Sequence, residues 1–176
     1  MINSKYKIDY SGWSDEGGYC QVYPINNHKK WVFKEFNTKT RAQKSYNIHK
    51  KLIIHDLAPK ILSRVCRLYF EEDEGWDVNQ LSDWGYIIEK AMPVKHTQDT
   101  MVQIQNLVDQ IYTKTGLKFW DCHWYNVGLV NRRSHTKIVC IDTGKESFDG
   151  YANAWALSNP GPKCEDCNSY KCECEE

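Results

Sequence analysis

The hydrophobic period of this chain switches after Phe36. Before that point, Tyr6 to Tyr10, Gln21 to Ile25 and Lys30 to Phe36 are aromatic and β-branched runs broken by Gly17-Gly18 and Asn26-Asn27. That pattern reads as three short strands. From Thr38 to Leu57 the residues are helix formers, with Ala42, Tyr46, His49, Leu52, Ile53 and Leu57 at helical spacing. Ala58-Pro59 ends that helix. Strands followed by a helix, and then by strands again, place the chain in the α+β class.

The later elements follow the same logic. Ile61 to Phe70 and Tyr86 to Glu89 read as two strands, joined by an acidic tract, Glu71 to Asp77, that suits a solvated turn. Met92-Pro93 reads as a hinge, because proline ends the strand and fixes the direction of exit. Asp99 or Thr100 caps a second helix running to about Thr115, with Val102, Leu107, Val108 and Ile111 on its apolar face. Gly116 stops it. Val127 to Val130 and Ile138 to Ile141 are apolar runs split by a polar turn, the signature of a hairpin. Beyond Gly144 there is little regular pattern, and no internal repeat occurs.

At 176 residues, 41% apolar and 26% charged, the chain suits one substantial core or two small lobes. The formal net charge is zero, which argues against nucleic acid or an anionic membrane as partner. Lys29-Lys30 and Arg132-Arg133 are short basic runs of the kind found on solvated loops. Seven tryptophans and eleven tyrosines can fill a small core with large side chains. Met1 to Asp15 has no apolar core of a signal peptide, and no apolar run reaches membrane-spanning length. Of eight cysteines, Cys20, Cys66, Cys122 and Cys140 are scattered and four crowd the last thirteen residues. Without an export signal, reduced thiols in a cytoplasmic protein are the expectation.

Four segments carry residue types suited to phosphate and metal chemistry. Asp15-Glu16-Gly17-Gly18-Tyr19-Cys20-Gln21-Val22-Tyr23 offers glycines that let backbone amides approach phosphate oxygens, although a plain β-turn has the same composition. Trp31-Val32-Phe33-Lys34 sets a lysine in an apolar strand, where it points to solvent or to a ligand. Asp121-Cys122-His123-Trp124-Tyr125-Asn126 places an asparagine five residues after an aspartate, between a helix and a hairpin. His123 there also suits a role satisfying backbone groups. Ile141-Asp142-Thr143-Gly144 puts a carboxylate at the hairpin exit, sixteen residues after Asn126. Oxygen ligands of this kind suit magnesium.

In this order the segments resemble the protein-kinase-like superfamily, from Tyr6 to Phe148. The catalytic loop, Asp-x-His-x-x-Asn, is similar to that of aminoglycoside-phosphotransferase-like kinases. The resemblance implies a two-lobed fold, with a kinase-like N-terminal lobe at 1–92 and a minimal C-terminal lobe at 93–150. It implies ATP and Mg2+ as cofactors. Gly17, Gly18 and Lys34 would meet the phosphates, Val22 the adenine ring, and the backbone near Glu89 and Ala91 the adenine edge. Asp121 would be the catalytic aspartate, and Asn126 and Asp142 the magnesium ligands.

The chain departs from the family pattern in several places. Asp15 and Cys20 stand where the first and third glycines usually are. Kinases pair the strand lysine with a helix glutamate, yet no acidic residue occurs between Asn37 and His55. Gln43 or Ser45 occupies that neighbourhood, which leaves Lys34 to lean on Asp142 or to swing free. Phe119 stands where a histidine is expected. The stretch after Gly144 is too short for the later helices on which protein kinases dock peptides.

A third segment, 151–176, holds Cys164, Cys167, Cys172 and Cys174, whose thiolates can close a tetrahedral Zn2+ site. The other reading is a reduced, disordered acidic tail. The function implied is ATP- and Mg-dependent transfer of phosphate to protein Ser/Thr hydroxyls. The alternative is a pseudokinase that binds nucleotide or a partner protein without transfer. A third is a zinc-dependent interaction protein carried on this scaffold.

Overall fold

A computed structural model describes residues 1–9, 20–70 and 80–148. The chain is mixed α+β, with a five-stranded mixed sheet, a two-stranded sheet and two α-helices among the described residues. It divides into two compact units: Met1–Lys50 with Lys60–Lys90, and Lys51–Pro59 with the chain from Ala91 onward.

The first unit is built on β1 (Ile2–Ile8), β2 (Gln21–Ile25), β3 (His28–Phe36), β4 (Arg67–Phe70) and β5 (Trp84–Glu89), in the order β4-β1-β2-β3-β5. All pairings are antiparallel except β1 with β4. That parallel pairing carries β1 back to Ile2, beyond the expected start at Tyr6, because Ile2 lies opposite Arg67. Alternation along β3 and β5 separates two apolar layers. Phe33 and Ile87 join Ile8, Ile25, Cys66 and Leu68 on one face. Val32, Phe36, Tyr86 and Ile88 form the other with Ala42, which lies on helix α1 (Lys39–Ile53).

The expected strand Ile61–Phe70 is regular only at its end. Ile61 and Cys66 make isolated bridges to Ile88 and Gly85. Between them the Ser63 hydroxyl takes the Ile87 N–H at 2.8 Å, so a side chain replaces the ladder there. The acidic tract Glu71 to Asp77 lies outside the described residues.

In the second unit, α1 ends at Ile53 rather than at Leu57. Leu57 N–H bonds the Leu52 carbonyl and Asp56 N–H the Ile53 carbonyl, both at 3.0 Å. Asp56 has φ 56°. This is a Schellman closure with aspartate in the left-handed position usually given to glycine. Helix α2 (Gln98–Thr115) begins at Thr97, whose hydroxyl accepts the Thr100 N–H at 3.2 Å, and not at Asp99 or Thr100. Gly116 closes it at φ 71°.

With the start at Thr97, the buried face of α2 is Thr100, Ile104, Leu107 and Ile111. Val102, expected inside, is 54% exposed, because two residues turn a helix by more than half a circle. Strands β6 (Val127–Asn131) and β7 (Thr136–Cys140) form the hairpin. Met92 bonds Leu129 in both directions, at 2.8 and 2.7 Å, so the chain leaving the Met92-Pro93 hinge lies along β6.

Candidate active site

The segment between Gly116 and β6 is anchored by Phe119. Its ring is buried and stacks on Phe148 with centroids 5.1 Å apart. The next residue, Trp120, donates its N–H to the Ser147 carbonyl at 3.0 Å. Ring stacking therefore fixes the position at which the resemblance expected a histidine. Cys122 and Trp124 point into the core, and Trp124–Asn126 form one 3₁₀ turn. That alternation leaves Asp121 and Tyr125 exposed, with the Asp121 side chain at 53%.

Asn126 ties the loop together. Its Nδ2 donates to the Asp121 carbonyl at 2.8 Å and to Asp121 Oδ2 at 3.0 Å, and meets His123 Nε2 at 2.9 Å. Both Asp121 atoms can only accept, so the amide nitrogen must be the group that faces them. The amide oxygen is thereby turned away from Asp121. His123 Nε2 also lies 3.5 Å from Asp121 Oδ1. The ring thus stands against both side chains, which extends the structural reading of His123: it packs beside the asparagine.

Asp142 arrives at the same place through the hairpin. Val127 pairs with Cys140, and just beyond them Ile141 and Asp142 both send their N–H groups to the Asn126 carbonyl, at 3.0 and 3.3 Å. The Asp142 carboxylate is fixed by two donors: Gly144 N–H to Oδ1 at 2.9 Å and Ser147 Oγ to Oδ2 at 2.6 Å. Gly144 has an ordinary φ of −59°. A Cβ there would stand 3.2 Å from Asp142 Oδ1 and from Glu146 Oε2, so a side chain at this position would crowd both carboxylates.

An amide oxygen and a carboxylate, both hard oxygen donors, suit Mg2+, which keeps several waters and needs no closed protein cage. Asn126 and Asp142 carry donors of the type that ion takes. Among the described residues no group of three His, Cys, Asp or Glu side chains could hold a metal. The softer, closed type of site is thus not found there. Burial pushes the Cys122 thiol up to about 12, further raised by the Asp121 charge and only partly offset by a backbone hydrogen bond. A buried thiol raised in this way carries little thiolate near neutral pH.

The remaining candidates belong to other elements. Val22 and Lys34 are cross-strand partners on β2 and β3, and Lys34 pairs on its other side with Tyr86. Lys34 is only 2% exposed, so it does not swing free in solvent. Of the two α1 residues named for its neighbourhood, Gln43 faces outward and bonds Asn47, while Ser45 is buried and bonds Tyr86. Glu89 ends β5; its N–H goes to the Lys60 carbonyl at 2.9 Å and its carboxylate accepts the Lys60 N–H at 3.2 Å. Ala91 packs its Cβ against the backbone of Gly128. Gly17 and Gly18 lie outside the described residues, as do Cys164, Cys167, Cys172 and Cys174.

Sequence reasoning missed Ser147, Phe148 and Tyr86. Ser147 follows Asp142 by five residues and holds its carboxylate, a contact for which no short spacing rule exists. Compared with known proteins, the chain matches no family model and no curated protein. Among the described residues, no helix is long and apolar enough to cross a membrane.

Proposed function

We propose that the chain is a protein-kinase-like phosphotransferase, passing the γ-phosphoryl group of ATP to a hydroxyl of the protein Ser/Thr class. The observation that supports this best is the arrangement around Asn126. One amide nitrogen holds the Asp121 carboxylate, the amide oxygen is turned away from it, and Asp142 is tied to the same backbone carbonyl. In the proposed reaction the acceptor oxygen attacks the γ-phosphorus and the bond to the β-phosphate oxygen breaks, releasing ADP. The acceptor proton passes to the Asp121 carboxylate.

Asn126 and Asp142 would hold Mg2+, which when bound neutralises charge on the phosphates. Lys34 is assigned to the phosphates, with Gly17, Gly18, Val22, Glu89 and Ala91 as the nucleotide-binding set. Positioning and charge neutralisation are most of what phosphoryl transfer asks of a protein.

A pseudokinase is the second reading, and one observation favours it. To the sheet face that carries Lys34, α1 brings Ser45 and His49 and no carboxylate. Nucleotide binding comes first in either case. MgATP at millimolar concentration should raise the melting temperature, since a ligand of the folded state stabilises it by mass action. Asp142→Asn deletes a carboxylate ligand and should remove the magnesium-dependent part of that rise. No rise in the parent, or an undiminished one in the variant, contradicts the nucleotide assignment.

A further inference from the structure

Lys34 is an ammonium on a strand face covered by a helix, with 2% of its surface exposed. A cation so placed must be held by polar atoms. Tyr86 lies directly opposite it in the β3–β5 ladder, so the two side chains leave the same face side by side. The Phe36 ring links them: it stacks on Tyr86 at 6.1 Å, and the Lys34 ammonium stands 5.7 Å from its centroid.

The Tyr86 hydroxyl is itself held from α1. Ser45 Oγ lies 2.9 Å away and His49 Nδ1 3.4 Å away, all three residues being buried. Tyr46 packs edge-on against the same ring, with centroids 5.3 Å apart. A phenol oxygen donates one proton and also accepts, so bonds to Ser45 and His49 leave it able to receive an N–H. Hydrogen-bond chains in a buried setting polarise one another, which strengthens such an acceptor.

We infer that Tyr86, gripped by Ser45 and His49, is the positioning residue for the Lys34 ammonium, in the place a carboxylate on α1 would otherwise take. Its consequence for phosphate binding rests on the phosphotransferase reading above. A loosened support would move the ammonium off the phosphates it is assigned to.

The test uses the full chain with ¹⁵N-lysine, following the Lys34 Nζ resonance, identified by its loss in Lys34→Met. Tyr86→Phe keeps the ring and removes one oxygen; Ser45→Ala is the milder second variant, decisive where Tyr86→Phe does not fold. The parent should show a slowly exchanging Lys34 Nζ signal. Both variants should shift it or speed its exchange while distant backbone amides stay in place, and MgATP binding should weaken about tenfold. A Lys34 signal that is absent in the parent, or unchanged in the variants, overturns the inference. If the signal moves as expected but the parent binds no nucleotide, the placement of Lys34 stands and the phosphotransferase reading falls.

Discussion

That Asp121, Asn126 and Asp142 come together was legible, because they stand at the two ends of a hairpin of fixed register. Their supports were not legible. Phe119 reaches Phe148, and Ser45 reaches Tyr86 across 41 positions; such contacts follow from packing and leave no periodic trace. Gly144 has an ordinary backbone, and the tight 3.2 Å clearance that a Cβ there would have from Asp142 Oδ1 leaves no trace in the sequence. The thiol of Cys122 offers a test of the loop's packing. With its pKa pushed up to about 12, about one molecule in ten thousand carries the thiolate at pH 8. Iodoacetamide should therefore leave Cys122 unmodified in the native protein and modify it after denaturation, as read by peptide mass spectrometry. Rapid native labelling would place the residue at the surface.

At the scale of elements, the type of each helix and strand was readable from period, while several ends were not. Helix α1 runs short of Leu57 because Asp56 turns left-handed, a conformation that costs a non-glycine residue about 1 kcal/mol. Asp56 also ties the turn after α1 to the hairpin, through Arg132 Nε at 2.8 Å and Lys137 Nζ at 3.3 Å. Burial works to raise its carboxyl, but the hydrogen bonds and charges of Arg132 and Lys137 outweigh it and hold the group below the usual range.

A lowered folded-state pKa means that this stabilisation is present above the unfolded value, about 3.9, and fades as pH falls through the folded one. Asp56→Asn should thus lose about 0.5–1 kcal/mol at pH 7, allowing for solvent screening of a half-exposed pair. The gap to the parent should close in denaturant titrations below about pH 4. A gap that does not depend on pH would assign the loss to the turn rather than to charge.

Helix α2 gives a second test at this scale. Val102→Ala should change stability by less than about 0.5 kcal/mol, whereas Ile104→Ala should cost about 2–5 kcal/mol. Comparable losses would restore the apolar face that begins at Val102.

For the molecule as a whole, the change of period at Phe36 correctly marked an α+β chain, and the described residues divide into two compact units. The first holds Lys34 on a buried sheet face; the second holds Asp121, Asn126 and Asp142 around one hairpin end. What the sequence could not show is how the charged groups are held, because buried neutral side chains such as Ser147, which bonds the Asp142 carboxylate, supply the contacts. The central claim is transfer, and nucleotide affinity cannot test it, since a pseudokinase binds ATP as well. Asp121 is assigned to the acceptor hydroxyl and not to the nucleotide. The direct measurement is incubation of parent and Asp121→Asn with γ-labelled ATP, with magnesium or manganese, in several cell extracts. The parent should label itself or an extract protein, and the variant should bind ATP with near-parental affinity while transferring at least about 100-fold less. A parent that transfers no more label than Asp121→Asn under every condition would contradict the enzyme reading and leave the pseudokinase in its place.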